Sequence, residues 1–504
     1  MHIHMSEKKL LLGIDIGTSG CKVTLIDTDC NFVGDGYTEY TTYHPNIGWS
    51  EQDPADWFPA FMSSFRAALE KGGAKAGQVA ALSLDASAHN VVLLDKEDQV
   101  LRRTIMWTDT RSTKETAYML EHHRDTVFSI GYQMPSPTWT MLQLMWINNN
   151  EPEVLKKTAR AMFVKDYVRY QLTGTWTTDH IEAQGSLLFD NINWCWSDEL
   201  CRISGVPLSI LPPLVKPGDI AGRITPEASR LTGIPAGTPV INGASDTAME
   251  AYCVGAIAEN SCVTKLATSG TLYLFRKQPE PNPKALTYSH VVDGLWYTCL
   301  ATSSAAESLR WYRDTFCQQE WQSEQRGGSS TYRTLDREAE QVPAGAEGLF
   351  FHPYLMGERS PYWDPRLRGS FVGATAHHSR GHFNRAVLEG VAYSIKDNFC
   401  LIEDKVEEIR IVGGGGKSPL WRSIMANVLN RPILKFQNDD SSYGSALLAG
   451  VGAGVFASHE EAVSKGLHLQ ERVEPDPALA EVYQKQFQLY RRIHDVLAPL
   501  YADM

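Results

Sequence analysis

This chain of 504 residues lacks long apolar runs, runs of basic residues and CxxC cysteine pairs. Each absence argues against a class of protein. No segment reaches the ~18 consecutive apolar residues of a membrane-spanning helix, and the opening residues MHIHMSEKK lack the apolar core of a signal peptide. Lys and Arg form no run, and the formal net charge is -12, which argues against a nucleic-acid or lipid surface. We expect a cytoplasmic protein without nucleic-acid or membrane partners. We assign no role to His2 and His4.

Cysteine is present without the spacing of a functional cluster. Nine cysteines are scattered and form no CxxC pair, which favours reduced thiols over a disulfide framework or a cysteine metal site. Hydrophobic residues make up 43% and charged residues 21% of the chain, as in ordinary globular proteins. The length exceeds one hydrophobic core, so we expect two large domains.

The opening segment, residues 9–40, predicts three strands separated by two turns. Asp15 lies late in the first strand, directly before the turn Gly17–Gly20, where backbone amides could converge on an anion. Burial of this carboxylate without a partner would cost several kcal/mol. A cation or an amide-rich site would offset that cost.

The sequence Thr-Ser-Gly of this turn recurs at residues 268–270, again between two predicted strands. We interpret the recurrence as one structural unit at the start of each half, with domains at residues 1–254 and 255–504. Just before the boundary, residues 238–256 predict a buried strand, a small-residue loop and a helix that opens at Asp246. By pattern alone, Asp246 is equally consistent with a helix N-cap and with a catalytic group.

A glycine turn occupies residues 413–416, between a predicted strand and a helix that Ser418 could cap, with Pro419 at its first position. A Walker motif would require glycine where Ile411 stands, so this is no P-loop. Such a turn still allows close approach of a nucleotide to backbone and helix amides. We favour nucleotide contact over a tight packing turn.

The sequence leaves the role of two further segments open, and it predicts no catalytic role for a third. His89 lies in a polar loop and is consistent with a structural hydrogen bond or with a ligand contact. The segment of Trp107 and Asp109 is equally consistent with a site and with a surface turn closed by an Asp109–Arg111 ion pair. Residues 320–345, rich in Gln, Glu, Ser and Gly, predict a mobile surface excursion.

Asp15 and Asp246 would suit phosphoryl transfer if they faced one cleft from separate strand ends. One carboxylate could hold Mg²⁺ through water, while the other accepts the proton of an attacking hydroxyl.

The chain resembles the FGGY carbohydrate kinases from about residue 10 to about residue 455. The segments that carry the resemblance are GIDIGTSGCKVTLID, GWSEQDPADW, INGASDTA, PYLMGERSPYWDPRLRGSFVG, HFNRAVLEGVAYSIKD and IVGGGGKSPLWRSIMANVLN. The resemblance implies two α/β domains of the actin-like, ribonuclease-H-like kind that close over a sugar and MgATP. Homodimers are common in this family.

The family pattern also implies roles for individual residues. Asp246 matches the catalytic base, and Asp15 matches the acidic residue at the Mg²⁺ end of the cleft. The positions matched to ATP are Thr18, Ser19 and Lys22 in the first phosphate loop, Thr268, Ser269 and Gly270 in the second, and Gly414, Gly415, Gly416 and Ser418 in the nucleotide loop. The positions assigned to the sugar are Ala88, His89, Trp107, Asp109 and Asp246.

Within the family, the segment HVVDGLWYTCLATSSAAESLRWYRD is more similar to xylulokinases than to gluconokinases. The resemblance therefore implies ATP-dependent phosphorylation of D-xylulose to D-xylulose 5-phosphate. The loop DASAHN stands where xylulokinases usually show SGQMHG, so only His89 is shared. The alternatives are another FGGY kinase, acting on gluconate, ribulose or a polyol, and a non-catalytic actin-like nucleotide-binding module.

Overall fold

Two large β-sheets, one from each half of the chain, organise the computed structural model, which describes residues 8–402 and 406–504. His2 and His4 lie outside the described residues. Within these ranges no helix has the length and apolarity needed to cross a membrane.

The first sheet has six strands from the N-terminal half. They are β1 (Leu10–Ile16), β2 (Gly20–Asp27), β3 (Phe32–Glu39), β4 (Val79–Ala86), β5 (Ile220–Arg223) and β6 (Pro239–Ser245). Their spatial order is β5-β6-β4-β1-β2-β3. Strands β1, β4 and β6 are parallel to one another, whereas β2 is antiparallel to both β1 and β3.

The second sheet has seven strands from the C-terminal half. They are β7 (Cys262–Leu266), β8 (Gly270–Arg276), β9 (Leu286–Ser289), β10 (Trp296–Thr302), β11 (Ile409–Val412), β12 (Ile433–Phe436) and β13 (Leu469–Val473). Their spatial order is β9-β10-β8-β7-β11-β12-β13. Here β7, β11 and β12 are parallel, and β8 is antiparallel to β7 and β10.

The two sheets therefore share one topology, in which an antiparallel trio continues into two parallel strands. The order β3-β2-β1-β4-β6 of the first sheet corresponds to β10-β8-β7-β11-β12 of the second. This is the ribonuclease-H-like arrangement expected from the resemblance. The predicted strand-turn-strand units at both Thr-Ser-Gly turns are confirmed.

Helices flank the sheets and connect their strands. In chain order they are α1 (Trp57–Gly72), α2 (Thr113–His122), α3 (Arg124–Gly131), α4 (Thr140–Asn150), α5 (Pro152–Lys157), α6 (Val164–Thr173), α7 (His180–Gly185), α8 (Asp198–Ser204), α9 (Pro226–Thr232), α10 (Asp246–Cys253), α11 (Ala306–Phe316), α12 (Gln318–Gln325), α13 (Thr331–Glu340), α14 (Arg380–Phe399), α15 (Pro419–Leu429), α16 (Ser441–Gly452), α17 (His459–Gly466) and α18 (Pro477–Tyr501). Shorter strands form separate small sheets. Glu51–Gln52 pairs with both Thr42–Tyr43 and Thr104–Ile105. The other pairs are Val91–Leu94 with Arg160–Phe163, Phe189–Asp190 with Cys195–Trp196, and Phe350–His352 with Ser370–Val372.

Helices α12 and α13 occupy most of residues 320–345, so the prediction of a mobile surface excursion there is wrong. Composition misled the prediction because the segment is polar overall. Leu335 and Ala339, four residues apart, are nevertheless buried on one face of α13, which is the spacing of an amphipathic helix.

Helix α16 packs closely against β1 and α10. A Cβ atom at Gly13 of β1 would overlap the carbonyl oxygen of Ser442, and one at Gly444 would overlap that of Met249. The hydroxyls of Thr24 and Ser442 lie 2.7 Å apart across the same contact. The small residues at these contacts therefore allow the N-terminal part of α16 to lie directly against β1.

The contact at Gly13 predicts a large effect from one methyl group. Gly13→Ala should destabilise the protein by about 2 kcal/mol, because overpacking against backbone cannot be relieved by a rotamer change. Differential scanning fluorimetry should show a melting temperature lower by about 2–4 °C. Gly77→Ala is the matched control, since no heavy atom lies within 4 Å of its Cβ position. Equal melting temperatures for both variants would contradict the packing argument.

Candidate active site

A cavity of about 520 Å³ is lined by residues from both halves of the chain. The first half contributes Ala88, His89, Trp107 and Asp246, and the second contributes Ser269. Aromatic side chains form much of the remaining surface, namely Trp139, Tyr273, Tyr288, Tyr297 and Trp363. A mostly apolar cavity with a few converging polar groups is typical of a small-molecule site.

The parallel strands explain why distant residues meet here, because their carboxyl ends lie along one edge of each sheet. Asp15 is the penultimate residue of β1, the loop of His89 follows β4, and Asp246 follows β6 directly. In the second sheet, the turn of Ser269 follows β7 and the glycine turn follows β11. Ligands of open α/β sheets bind outside such carboxyl ends.

Asp246 is the first residue of α10, and Ser245 occupies the N-cap position. The N-cap interpretation of Asp246 is therefore wrong, as is the predicted loop, because β6 continues directly into the helix. The backbone amide of Thr247 donates a hydrogen bond of 2.7 Å to Oδ1 of Asp246. The N-terminus of a helix is a favourable position for an acidic side chain, and this one lines the cavity.

Asp15 lies beside Asp85, its register partner on parallel strand β4. Burial, followed by the nearby charges of Asp440 and Asp246, holds the pKa of Asp15 well above its usual range. Burial and then Asp15 do the same to the pKa of Asp85, although Ser445 donates a hydrogen bond of 2.6 Å to it.

Within the described residues, Oδ1 of Asp15 and Oδ1 of Asp85 are buried and have no hydrogen-bond partner. Two buried carboxylates at paired positions of neighbouring strands are costly when both are charged, and a bound cation would offset that cost. Carboxylate oxygens are the ligands preferred by Mg²⁺, so the residues present fit this metal.

The turn after β1 is held in place by surrounding side chains. Indole Nε1 of Trp107 donates a hydrogen bond of 3.1 Å to Oγ1 of Thr18, whereas Ser19 is exposed at the tip of the turn. Nζ of Lys22 forms an ion pair with Asp440, the N-cap residue of α16. The first predicted phosphate loop thus carries a cation that is already paired.

The turn after β7 has the same form. Thr268 is exposed and Ser269 lines the cavity. At Gly270 a Cβ atom would lie 2.6 Å from Cγ2 of Thr302, so packing explains that glycine. The structure places the two Thr-Ser-Gly turns at corresponding ends of their sheets.

The glycine turn follows β11, and Val412 at the end of that strand pairs in parallel register with Lys265 of β7. The turn therefore starts on the same sheet edge as the Ser269 turn. Gly413 has a left-handed φ of 87°, while no heavy atom lies within 4 Å of a Cβ at Gly414. Gly414 is exposed, whereas Gly415 and Gly416 are buried.

Ser418 confirms the predicted cap, since its hydroxyl accepts a hydrogen bond of 3.1 Å from the backbone amide of Trp421. Pro419 is the first residue of α15, as predicted. The glycine turn does not line the cavity of His89 and Asp246. A ligand that contacted both would extend along the edge of the second sheet.

His89 is held by its backbone and by its ring. It adopts a left-handed φ of 57°, and its amide donates a hydrogen bond of 2.8 Å to Glu182. The imidazole packs 5.0 Å from the ring centroid of Trp139 and against Gly185, where a Cβ would overlap it. Burial lowers the pKa of His89 to about 3. A neutral imidazole therefore lines the cavity.

A buried ionic network that was not predicted from the sequence lies next to Glu182. Lys165 pairs with Asp166 at 2.6 Å and Asp179 at 2.8 Å, and Arg169 pairs with Asp166 at 2.8 Å. These side chains are at most 1% exposed. Their sequence has the charge pattern of a surface helix, so only the tertiary structure reveals their burial.

Asp109 is the one predicted sugar-binding residue that does not line the cavity. Its carboxylate accepts hydrogen bonds from Arg111 at 2.9 and 2.7 Å and from the amide of Ser50 at 2.6 Å. The ion pair of the alternative interpretation exists, but it is buried rather than a surface turn, since both side chains are 1% exposed. Arg111 also stacks 3.7 Å from the ring of Trp49.

A second cluster of potential ligands in the described ranges joins Glu347, His377 and His382 outside the cavity. The amide of Ser379 donates a hydrogen bond of 3.1 Å to Nδ1 of His382. This bond places the ring proton on Nε2, which then donates to Glu347 at 2.9 Å. The geometry fits a hydrogen-bonded cluster at the start of α14 better than a metal site.

Lys265 and Glu250 were not identified from the sequence. Lys265 lines the cavity, and its Nζ lies 2.6 and 2.7 Å from the two carboxylate oxygens of Glu250. Lys265 shows the same pattern that identified Asp15, namely a charged residue near the end of an apolar strand. This pattern could have identified it.

Comparisons with known proteins extend over nearly the whole chain. The family models of the FGGY carbohydrate kinases match with the N-terminal domain at residues 10–253 and the C-terminal domain at residues 262–453. Xylulose kinase of Bacillus subtilis is 31% identical over 492 residues, which cover 96% of this chain and 97% of that protein.

Two solved structures are also similar. Ligand-bound xylulose kinase from Lactobacillus acidophilus, 27% identical, has a TM-score of 0.90 and covers 98% of this chain and 99% of its own. Gluconate kinase from the same organism, also 27% identical, has a TM-score of 0.89 and covers 99% of this chain and 100% of its own. Structural similarity alone therefore does not distinguish between these two kinases.

The buried imidazole of His89 predicts a specific loss of stability in acid. An unfolded histidine binds a proton below about pH 6.5, whereas folded His89 stays neutral down to about pH 3. Its contribution to stability is therefore present above about pH 6.5 and is lost as the pH falls. In urea titrations at pH 7 and pH 5, His89→Asn should reduce the pH dependence of the unfolding free energy by about 2 kcal/mol.

Asn suits this test because it tolerates the left-handed backbone. Exposed His468→Asn is the control and should retain the pH dependence of the wild type. An unchanged pH dependence in His89→Asn would show that the imidazole is accessible to protons in the folded protein.

Proposed function

The chain belongs to the FGGY family of carbohydrate kinases, and we propose that it transfers the γ-phosphoryl group of ATP to D-xylulose, forming D-xylulose 5-phosphate. As a carbohydrate kinase it phosphorylates a sugar, and its family implies ATP as the donor. The observation that carries the proposal is the convergence of Asp246 and Ser269, from opposite halves, on one cavity.

We assign the sugar and the first phosphate turn to residues 1–254, and the nucleotide to residues 255–504. The two sheets support this division because each presents one Thr-Ser-Gly turn at its carboxyl edge. Gly414 and Ser418 would contact the nucleotide, with the amides of α15 directed toward phosphate. Closure of the halves would exclude water during transfer.

Asp246 is the proposed general base. Its carboxylate takes the proton of the primary sugar hydroxyl as that oxygen bonds to the γ-phosphorus, and the bond from phosphorus to the bridging oxygen of ADP breaks. The amide of Thr247 holds Oδ1, which leaves Oδ2 to receive the proton. No covalent enzyme intermediate is needed.

Asp15, adjacent to Asp85, is the proposed ligand of Mg²⁺. When bound there, the metal would offset charge on the β- and γ-phosphates. The unpartnered oxygens of these two carboxylates support the assignment. Thr18 and Ser269 offer backbone amides and hydroxyls to the phosphates from the two turns.

His89, Ala88 and Trp107 are the proposed sugar contacts, since each lines the cavity. A neutral imidazole can donate or accept a hydrogen bond with a sugar hydroxyl. We do not retain Asp109 as a direct sugar contact, because Arg111 and Ser50 occupy its carboxylate.

Gluconate is the second candidate substrate. The similar gluconate kinase structure and the cavity-lining guanidinium of Arg359 favour it, because arginine recognises carboxylates. A purely nucleotide-binding role is less consistent with carboxylates at the ends of three parallel strands.

A coupled assay of ADP release decides among these functions. It compares D-xylulose, L-ribulose, D-gluconate, L-fuculose and glycerol at equal concentrations, with kcat/KM as the readout. We expect D-xylulose to give the highest value. A higher value for D-gluconate would replace the proposed substrate, and no sugar-dependent release with any compound would contradict kinase activity on this panel.

Asp246→Asn should reduce kcat by about 10²–10⁴-fold, the usual contribution of a general base. The affinity for ADP, measured by isothermal titration calorimetry, should change less than about twofold because the phosphate turns are untouched. Asp98→Asn, a surface substitution that suits the left-handed backbone of residue 98, is the control. Near-normal turnover of Asp246→Asn would exclude Asp246 as the base.

A further inference from the structure

The internal repeat places opposite charges at corresponding positions of the two halves. Asp15 stands three residues before Thr18, and Lys265 stands three residues before Thr268. Each is the penultimate residue of its strand, and each is the half-buried residue among buried neighbours. Lys265 is thus the structural counterpart of the carboxylate assigned to Mg²⁺.

Lys265 also lies where the chemistry is proposed. It lines the same cavity as Asp246 and Ser269. Its partner Glu250 follows Asp246 by four residues on α10, so both carboxylates lie on one face of that helix. Burial tends to lower the pKa of Lys265, but Glu250 and Asp246 outweigh it and raise the pKa. The side chain is therefore a cation.

A structural ion pair alone does not explain this arrangement. The pair lies on a cavity and is not sealed in a core, since the side chains of Lys265 and Glu250 are 23% and 17% exposed. Two ammonium protons meet the oxygens of Glu250, and an ammonium group has three donors. Among the described residues, no other hydrogen-bond acceptor of Lys265 is found, so one donor is available to a ligand.

We infer that Lys265 is a further catalytic residue, whose ammonium group contacts the transferred phosphoryl group, and that Glu250 positions it. The inference rests on the proposed function. During transfer, charge develops on the oxygens around the γ-phosphorus, and a preorganised cation stabilises that charge. Lys265 gives up no proton, because the hydroxyl proton goes to Asp246 and the electron pair of the broken bond goes to ADP.

The turns then act on the phosphoryl group from two sides. Asp15 acts on the first side through a cation that it binds, and Lys265 supplies its own cation on the second. The internal repeat accounts for this placement, because Asp15 and Lys265 each lie three residues before the Thr-Ser-Gly turn of their own half. Lys22 differs from Lys265 in position, since it pairs with Asp440 and does not line the cavity of Asp246 and Ser269.

Steady-state kinetics of Lys265→Met, Lys265→Ala and Lys265→Arg test the inference. Lys265→Met should reduce kcat by about 10²-fold, with the KM of the sugar and the affinity for ADP within about twofold of wild type. Propylammonium supplies the atoms that Ala lacks, so it should restore part of the rate of Lys265→Ala. Lys265→Arg should retain more activity than Met. A purely structural lysine would give no such rescue.

The double variant Lys265→Met with Glu250→Gln separates catalysis from folding. Lys265→Met alone leaves Glu250 without its partner, a change that can destabilise the protein, and the second substitution removes that carboxylate. The double variant should melt near the wild-type temperature and remain slow. Recovery of kcat in the double variant would assign the loss to the unpaired Glu250 and overturn the inference. Lys71→Met is the control, because it removes an exposed ion pair between Lys71 of α1 and Asp35 of β3.

The remaining outcomes are distinct. A folded Lys265→Met enzyme with kcat within about threefold of wild type would refute the role of Lys265 alone. A raised KM for D-gluconate with unchanged kcat would make Lys265 a substrate-carboxylate ligand, which also refutes it. A wild type that releases no sugar-dependent ADP would refute the proposed function on which the inference rests.

Discussion

Repulsion among carboxylates at the ends of parallel strands is the constraint on which the rest of this site depends. Asp15, Asp85 and Asp246 come from β1, β4 and the strand-to-helix junction after β6, and Asp440 and Glu250 raise the pKa of Asp15 further. Such a cluster is costly when buried. Lys22 and Lys265 lie close enough to Asp15 to interact with its charge. Among the described residues, Oδ1 of Asp15 and Oδ1 of Asp85 still have no hydrogen-bond partner, and a metal ion bound there would supply the missing positive charge.

Close packing makes the cluster possible. Helix α16 belongs to the second half of the chain, yet its backbone contacts β1 at Gly13. That contact places Ser445 against Asp85 and Asp440 against Lys22. The electrostatics of the first Thr-Ser-Gly turn therefore depend on a helix more than 400 residues away in sequence. Gly13 carries no charge, but its small size allows the contact that brings these charged side chains together.

Local sequence signals predicted the backbone structure of the proposed phosphate side well. Turn residues between apolar runs located both Thr-Ser-Gly units, and Ser418 with Pro419 marked the start of α15. These features depend on residues close in sequence. Asp109 and residues 320–345 were misread because burial is decided by distant partners, such as Ser50. Lys265 was missed for a related reason, since its proposed role follows from a comparison of the two halves. That comparison was limited to the three matching turn residues, and it overlooked that Lys265 occupies the position of Asp15.

The proposed sugar side depends on residues that are far apart in sequence. Its surface combines His89, Trp139, Tyr288 and Trp363, which come from four separate segments, and no short motif contains two of the aromatic residues. Backbone turns can bind phosphate in the same way whatever the acceptor. Discrimination between sugars instead depends on side chains that the fold alone brings together. Substrate preference could therefore change through this surface while the carboxylates and turns proposed to perform the transfer stay in place.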